Sequence, residues 1–462
     1  MPKATTLEPP ARTTRAARRT AETKTENQPV TREQPTRQVA VTVVADVDAS
    51  ALDRLRELLR SMAGDPAGNE VVPLGRLPGT HFARFVLLEA TTDLDGGAIE
   101  PHLVYMADID APLDEDAPDE RHLRELVESA PGLDRILGAC AGYPRRRRSR
   151  EARLEFLLAH RVTPAAAYVN TVGRSVWQIL AEESLHRALE TFLDEHGDWR
   201  HRVPEDVRAA IQDYVAITPE LAWARRRRPS PGFTQRALHY AGLAKLPLTA
   251  AALSPVLVPA VPVFALLLRL QELGDKAPHI RPTAAHVREL AKAEDRTAVN
   301  QFSAIGAVKT GLVRRATIGV VTRGLDFGAK TIFDHANLAG VKTIHFARWV
   351  TLDEGRRMIF TSNYDGSVES YNDDFIDKVW WGLNAVFSNG YGWPKTSWLF
   401  FGGAKREQEF KDYLRCHQIP TQVWFAAYPD LTALNIETNA EIRAGLYGEM
   451  TREQAREWLL RI

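Results

Sequence analysis

Cysteine is almost missing: only Cys140 and Cys416 occur in 462 residues. That excludes a disulfide framework and a cysteine-based zinc site, and it fits a reducing compartment. Excess charge is missing too. Fifty-nine Lys and Arg balance 59 Asp and Glu, so no global field steers the chain to nucleic acid, and no nucleic-acid motif is present. The N-terminus lacks the apolar run of a secretory signal, so the expected location is cytoplasmic. What remains is ordinary globular material, with 44% hydrophobic and 26% charged residues, long enough for about two to four domains.

One stretch organises the rest. Thr343 to Asp353 reads TIHFARWVTLD, and it is echoed upstream where Thr80 to Glu89 reads THFARFVLLE. Around each copy the same order of elements can be read. After a polar tail over 1–37, rich in Thr, Arg, Pro and Glu, Val39 to Val47 is β-branched and strand-like. A leucine-spaced helix follows over Leu52 to Met62. Strands follow at His81 to Glu89 and Leu103 to Ile109, then a helix from Asp119 to Leu137 and a fourth strand at Ala165 to Val172. In the second copy Asn300 to Lys309 is a strand and Arg315 to Phe333 a helix. Lys342 to Leu352 and Arg357 to Ser362 make a hairpin around Glu354-Gly355. A helix capped by Ser367 runs to Phe387, and Thr421 to Tyr428 is the last strand. The order β-α-β-β-α-β occurs twice, over 38–175 and 296–462, which is the ferredoxin-like plan. The expected fold is α+β, with two ferredoxin-like repeats facing each other in an intrachain α+β barrel that encloses a cofactor-sized chamber.

Between the copies lies a mainly helical insert, 176–295. It contains 23 consecutive uncharged residues, Leu246 to Leu268, bounded by Lys245 and Arg269. That length approaches a membrane span. Pro247, Pro255, Pro259 and Pro262 argue instead for a kinked, monotopic dip into one leaflet on the inner face of the membrane. A buried core segment is the alternative. Two basic runs, Arg145 to Arg148 and Arg225 to Arg228, suit an anionic membrane surface, each residue contributing about 1 kcal/mol; a solvated loop is the plain alternative for either.

Alternation along the strand puts His345, Ala347 and Trp349 on one face and Arg348 on the other. A histidine beside a small residue and a flat indole suits a proximal haem ligand; the competing reading is a core histidine bracing the sheet, as His81 would in the first copy. Arg348 and Arg84 need acidic partners, and Asp373, Asp374 and Asp377 on the next helix are the candidates. In SNYDGS (Ser362 to Ser367), Asp365-Gly366 forms a tight turn that places an exposed carboxylate near a helix N-terminus. That carboxylate is either a proton shuttle or a helix cap. Glu294-Asp295 and Asn300-Gln301 form a further polar cluster, and Tyr364, Tyr371, Trp380, Trp381 and Trp393 read mostly as core.

The tandem plan resembles the dimeric α+β barrel superfamily, which includes dye-decolourising (DyP-type) haem peroxidases and chlorite dismutases. Ser362-Asn363-Tyr364-Asp365-Gly366 is similar to the GxxDG motif of the DyP-type enzymes, with serine for the first glycine. The resemblance implies haem, with Asp365 as distal acid. His345 would be the metal ligand, Trp349 and Asn363 cofactor contacts, and Arg348 a charge stabiliser. Three functional readings follow: a membrane-peripheral haem peroxidase-like oxidoreductase acting on a small apolar substrate, a haem-free membrane-associated binding or structural protein, and a cofactor-free oxygenase or isomerase. The sequence leaves the oligomeric state open.

Overall fold

Eight strands carry the architecture: β1 (Thr36–Asp46), β2 (Thr80–Leu88), β3 (His102–Pro112), β4 (Ala166–Val169), β5 (Val299–Ala307), β6 (Ile344–Leu352), β7 (Arg357–Asp365) and β8 (Val423–Ala426). The computed structural model describes residues 33–146, 149–331, 338 and 340–462. Most of the 1–37 tail lies outside the described residues, and β1 begins at Thr36.

The strands form two four-stranded antiparallel sheets, in the orders β1-β3-β2-β8 and β4-β6-β7-β5. The α+β class is as expected; the closed barrel is not formed. Each expected fourth strand instead leaves its own sheet for the other. Residues 160–162 bond β1 through Val44 N to His160 O (2.9 Å) and Val162 N to Thr42 O (3.0 Å), and β4 then pairs with β6 of the second sheet. Likewise Ile419 N bonds Ser303 O of β5 (2.9 Å), and β8 then pairs with β2 of the first sheet. Each crossing contains a proline, Pro164 or Pro420. Proline has no N–H to give, so each ladder breaks there and the two sheets stay separate.

Helices cover the outer faces. Against the first sheet lie α1 (Leu52–Met62), α2 (Pro118–Ser129), α3 (Leu133–Leu137) and α4 (Arg150–Ala159). The single helix expected over Asp119 to Leu137 is two, because Pro131 forces Ala130 out of the helical region (φ −106°, ψ 90°). Next come α5 (Val176–Glu195), α6 (Pro204–Ile217), α7 (Phe233–Ala252), α8 (Ser254–Gly274) and α9 (Ala284–Ala291). The second sheet is covered by α10 (Leu312–Thr331), α11 (Val368–Phe387) and α12 (Glu407–His417). The chain closes with α13 (Ala433–Ala444) and α14 (Arg452–Leu459), which share an apolar cluster with α5 and α6. Ser367 caps α11 as expected, accepting from Ser370 N at 3.2 Å.

Where a chamber was expected, the inner faces of the two sheets meet. Val86, Leu88, Val104 and Met106 of the first pack against Val350, Leu352 and Ile359 of the second.

A buried histidine sets an acid limit on this fold. His122 of α2 is fully buried, with Nε2 2.8 Å from the Tyr105 hydroxyl. Burial, helped by the neighbouring Arg121 charge, pushes its imidazole down to about 3. The unfolded chain binds the proton near 6.5 and the folded one only near 3, so stability is lost as pH falls through that window. At pH 4.5 the loss is about 3 kcal/mol. Urea unfolding at pH 7 and 4.5 should show it, and His122→Gln, which bonds the tyrosine but does not titrate, should remove that share.

Candidate functional site

The two HFAR echoes are reciprocal clasps between the sheets. Arg348 of β6 donates through Nη1 to Val41 O (2.6 Å) and through Nη2 to Ala107 O (2.9 Å) and the Asp108 carboxylate. Arg84 of β2 reaches the opposite way. Its Nη1 donates to Phe302 O (2.8 Å) and Ser303 Oγ (3.1 Å), and its Nη2 to Ser362 O (3.0 Å) and Asn363 Oδ1 (2.5 Å). The expected partners on α11 are not used. Asp373 pairs with Lys411, Asp374 with Lys378, and Asp377 is exposed. The clasps are unequal, because Arg348 has a carboxylate and Arg84 an amide. Burial, with the like charge of Arg348, accordingly pushes the Arg84 guanidinium down to about 9 against the pull of Asp108.

Both histidines sit at a β-bulge. The registers shift between Thr80 and Phe82 and between Ile344 and Phe346. An extra residue there turns the side chain to the other face, so His345 does not share a face with Trp349 as alternation had it. His345 packs against Phe82 and Tyr428, with ring centroids 5.6 and 6.0 Å away, while Trp349 lies on the α11 side against Phe360 at 4.9 Å. Each histidine holds a carboxylate, and that carboxylate caps a helix. His81 Nε2 is 2.9 Å from Asp110 Oδ1, whose Oδ2 accepts from Val176 N of α5 at 2.8 Å. His345 Nε2 is 2.6 Å from Asp365 Oδ1, whose Oδ2 accepts from Ala433 N of α13 at 2.8 Å. Asp365 is thus only 9% exposed and caps α13, not α11.

The remaining ring nitrogens differ. His81 Nδ1 meets the Tyr428 hydroxyl at 2.7 Å, and burial pushes that phenol far up, so it stays protonated. His345 Nδ1 is buried without a hydrogen-bond partner among the described residues. The cause lies in the crossing strands. Ala427 N bonds His81 O, and Asn170 N bonds His345 O, each at 2.9 Å. The residue after each is Tyr428 in one case and Thr171 in the other, and threonine is too short to serve.

These residues do not fit a haem. His345 is 1% exposed, with Nε2 committed to Asp365 and its ring between aromatic neighbours. Trp349 packs elsewhere, tilted against Phe360, and Asn363 Oδ1 already accepts from Arg84 and from Trp424 Nε1 at 3.0 Å. What the arrangement does is lock the bulges, the helix starts and the two sheets together. The other polar cluster is structural as well. Glu294 pairs with Arg415, Asp295 accepts from Val368 N (3.3 Å), Asn300 donates to Gly366 O (2.9 Å), and Gln301 accepts from Thr421 (2.5 Å).

The surface that stands out is elsewhere. Helices α7 and α8 are joined only through Leu253, itself helical (φ −86°, ψ −3°). From Leu246 to Leu267 the leucines and valines are exposed, Val258 to 69% and Leu248 to 67%, and Phe264 is half-buried. The arm is pinned at both ends. Before it, Arg228 donates to Gly173 O, and Arg226 O accepts from Arg443 at 2.9 Å. After it, Leu268 packs on Ala385 and Leu399. Glu272, 3% exposed, accepts from Thr396 Oγ1 (2.9 Å), Leu399 N (2.8 Å) and Trp398 N (2.8 Å). Those bonds hold a loop in which Trp398 and Leu399 adopt positive φ (52° and 66°) and Trp398, Phe400 and Phe401 are exposed. The sequence reading missed this loop. Its signal was an apolar run, Trp398 to Phe401, ending on Gly402-Gly403, which marks a turn. Glu272→Gln keeps the size but turns an amide toward backbone donors. It should lower stability by about 2 kcal/mol in urea unfolding.

No protein-family description, curated protein or solved structure matches the chain, so none of these comparisons identifies a barrel peroxidase or any other family.

Proposed function

We propose that the protein is a haem-free, peripheral membrane-associated protein, an α+β body seated on an anionic bilayer by its α7–α8 arm and the Trp398–Phe401 loop. In this reading the body is two ferredoxin-like units whose fourth strands have changed sheets, clasped by Arg84 and Arg348. The observation that carries the reading is the arm: in a run of 23 residues without a charge, every Leu and Val from Leu246 to Leu267 is open to solvent, between two ends fixed to one body. A protein groove would cover one stripe of a helix; a lipid surface accepts an apolar helix over most of its girth.

The membrane sense follows from the pinning. With both ends on the same body the arm cannot leave one end on each side, although α8 alone is long and apolar enough to cross. It lies in one leaflet, and Pro247, Pro259 and Pro262 inside the helices suit a bent, shallow course. Ten Leu and Val side chains between Leu246 and Leu267 are at least 39% exposed. At about 1 kcal/mol each for the part still open, their burial offers on the order of 10 kcal/mol before the costs of association. Tryptophan and phenylalanine in the loop suit the headgroup level. Arg225 to Arg228 are exposed just before α7 and add attraction to anionic lipid. Of the other run, Arg145 is tied to Asp48, and Arg147 and Arg148 lie outside the described residues.

Flotation with vesicles of phosphatidylglycerol and phosphatidylcholine tests this. The wild-type chain should float. Val258→Glu, a change at an exposed position, should weaken binding roughly thirtyfold, since a charge at bilayer depth costs about 2–3 kcal/mol. A chain that stays at the bottom of the gradient, or a variant that floats as well as wild type, sinks the reading.

A further inference from the structure

A cleft of about 730 Å³ opens where the second crossing strand leaves β5 for β2. Its floor is apolar, made by Leu87, Leu88, Ile305 and Ile419. Its cationic groups come from different elements, Arg60 from α1 and Arg357 from the start of β7.

The opposite junction shows why it is open. There the first crossing strand leaves β1 for β6, and His102 closes the gap. Its Nε2 bonds Asp353 at 2.6 Å, and its Nδ1 lies 2.8 Å from the Asp46 carboxylate without the angle of a hydrogen bond. Counting along each strand from the groups that the two arginine clasps grip, Asp46 corresponds to Ala307, Asp353 to Glu89 and His102 to Arg357. Ala307 brings no carboxylate. Glu89 is turned onto Arg56 at 2.8 and 3.1 Å. Arg357 is held through Nε by Asp353 at 2.5 Å, and its Nη2 is buried with no hydrogen-bond partner among the described residues. The bridge that fills one junction is absent from the other, and a guanidinium with an unsatisfied donor stands in the wall.

We infer that this cleft binds a small amphipathic carboxylate, its head between Arg60 and Arg357 and its apolar body on Leu87, Leu88, Ile305 and Ile419. The volume lies in the range of small-molecule sites. With a shift of the Arg357 side chain that opens Nη2 to the cleft, an anionic head would accept a charge-assisted bond from it, whereas the oxygen of an alcohol would accept only a weaker, neutral one. Lys292 pairs with Glu289, Arg56 with Glu89 and Arg357, through Nε, with Asp353, so Arg60 supplies the charge for the head and Arg357 supplies the open donor Nη2. The inference does not depend on the arm meeting lipid.

The test is isothermal titration of the full chain with decanoate, kept below the concentration at which it self-associates, against decanol. Ala293 is exposed at the cleft and Arg60 is exposed on α1, so Ala293→Trp and Arg60→Ala should keep the wild-type melting midpoint. Decanoate should bind one to one, decanol and the Arg60→Ala variant should each show affinity lower by about tenfold, and Ala293→Trp should abolish binding. No saturable heat with wild type overturns the inference. So does binding that survives Ala293→Trp but is lost in Val258→Glu, which would place the ligand on the apolar arm. Decanol binding as well as decanoate overturns the anionic head.

Discussion

Arg348→Ala is expected to lower the stability of the fold by about 3–5 kcal/mol. The side chain is 3% exposed and bonds two carbonyls and the Asp108 carboxylate across the sheet interface. Removing it leaves that carboxylate charged, buried and alone, which costs more than the lost bonds. Arg84→Ala should cost less, about 2–3 kcal/mol, because the groups it abandons are neutral: two carbonyls, Ser303 and Asn363. Asn363→Asp should act in the other direction, giving Arg84 the carboxylate it lacks and adding about 1–2 kcal/mol at pH 7. Urea unfolding of the three variants gives the order directly. If Arg84→Ala proves the more damaging, the clasps do not work through charge pairing.

Gly403→Ala should be as severe, at about 4 kcal/mol. The glycine has φ +53°, and an added Cβ would stand 2.0 Å from Asn384 Oδ1 and 2.9 Å from Thr396 Cγ2. Asn384 cannot give way cheaply. It donates to Phe400 O (2.8 Å) and Gly402 O (2.9 Å) and accepts from Ala404 N (2.8 Å) and Trp393 Nε1 (3.1 Å), fully buried. Moving it frees the loop that carries Trp398 and Phe401. The variant should melt well below wild type, become cleavable by protease between 396 and 403, and bind vesicles less tightly. A midpoint within about 2 °C of wild type would show that the loop does not rest on Asn384.

Much of the strand and helix order was legible because it is local. Each copy of HFAR, the leucine spacing of α1 and the Ser367 cap lie within one element. His345, Asp365 and Arg348 were singled out from the sequence, and all three proved buried and bonded. Their partners were not legible, for two physical reasons. A single bulged residue reversed the face of His345, and nothing in TIHFARWV distinguishes a bulge from regular alternation. The carboxylate for Arg348 lies 240 residues away on another sheet, so an acidic helix nearby in sequence looked the better partner. Asp365 was placed at the start of α11, its neighbour in sequence, whereas it caps α13. The crossing strands were misassigned because Pro164 and Pro420 end one ladder and let the next begin in a different sheet. Glu272 carries no mark in the sequence, since its three donors come from a loop more than a hundred residues on.

The most direct measurement is the depth of the arm in a bilayer. A bimane label at Val258→Cys, in a Cys416→Ser background, should be quenched by doxyl groups on lipid acyl chains when anionic vesicles are added, while a label at exposed Glu57 on α1 stays bright. A Val258 label that acyl-chain quenchers never reach, on protein that nevertheless keeps its fold, would contradict the account and leave the arm as a contact between protein surfaces.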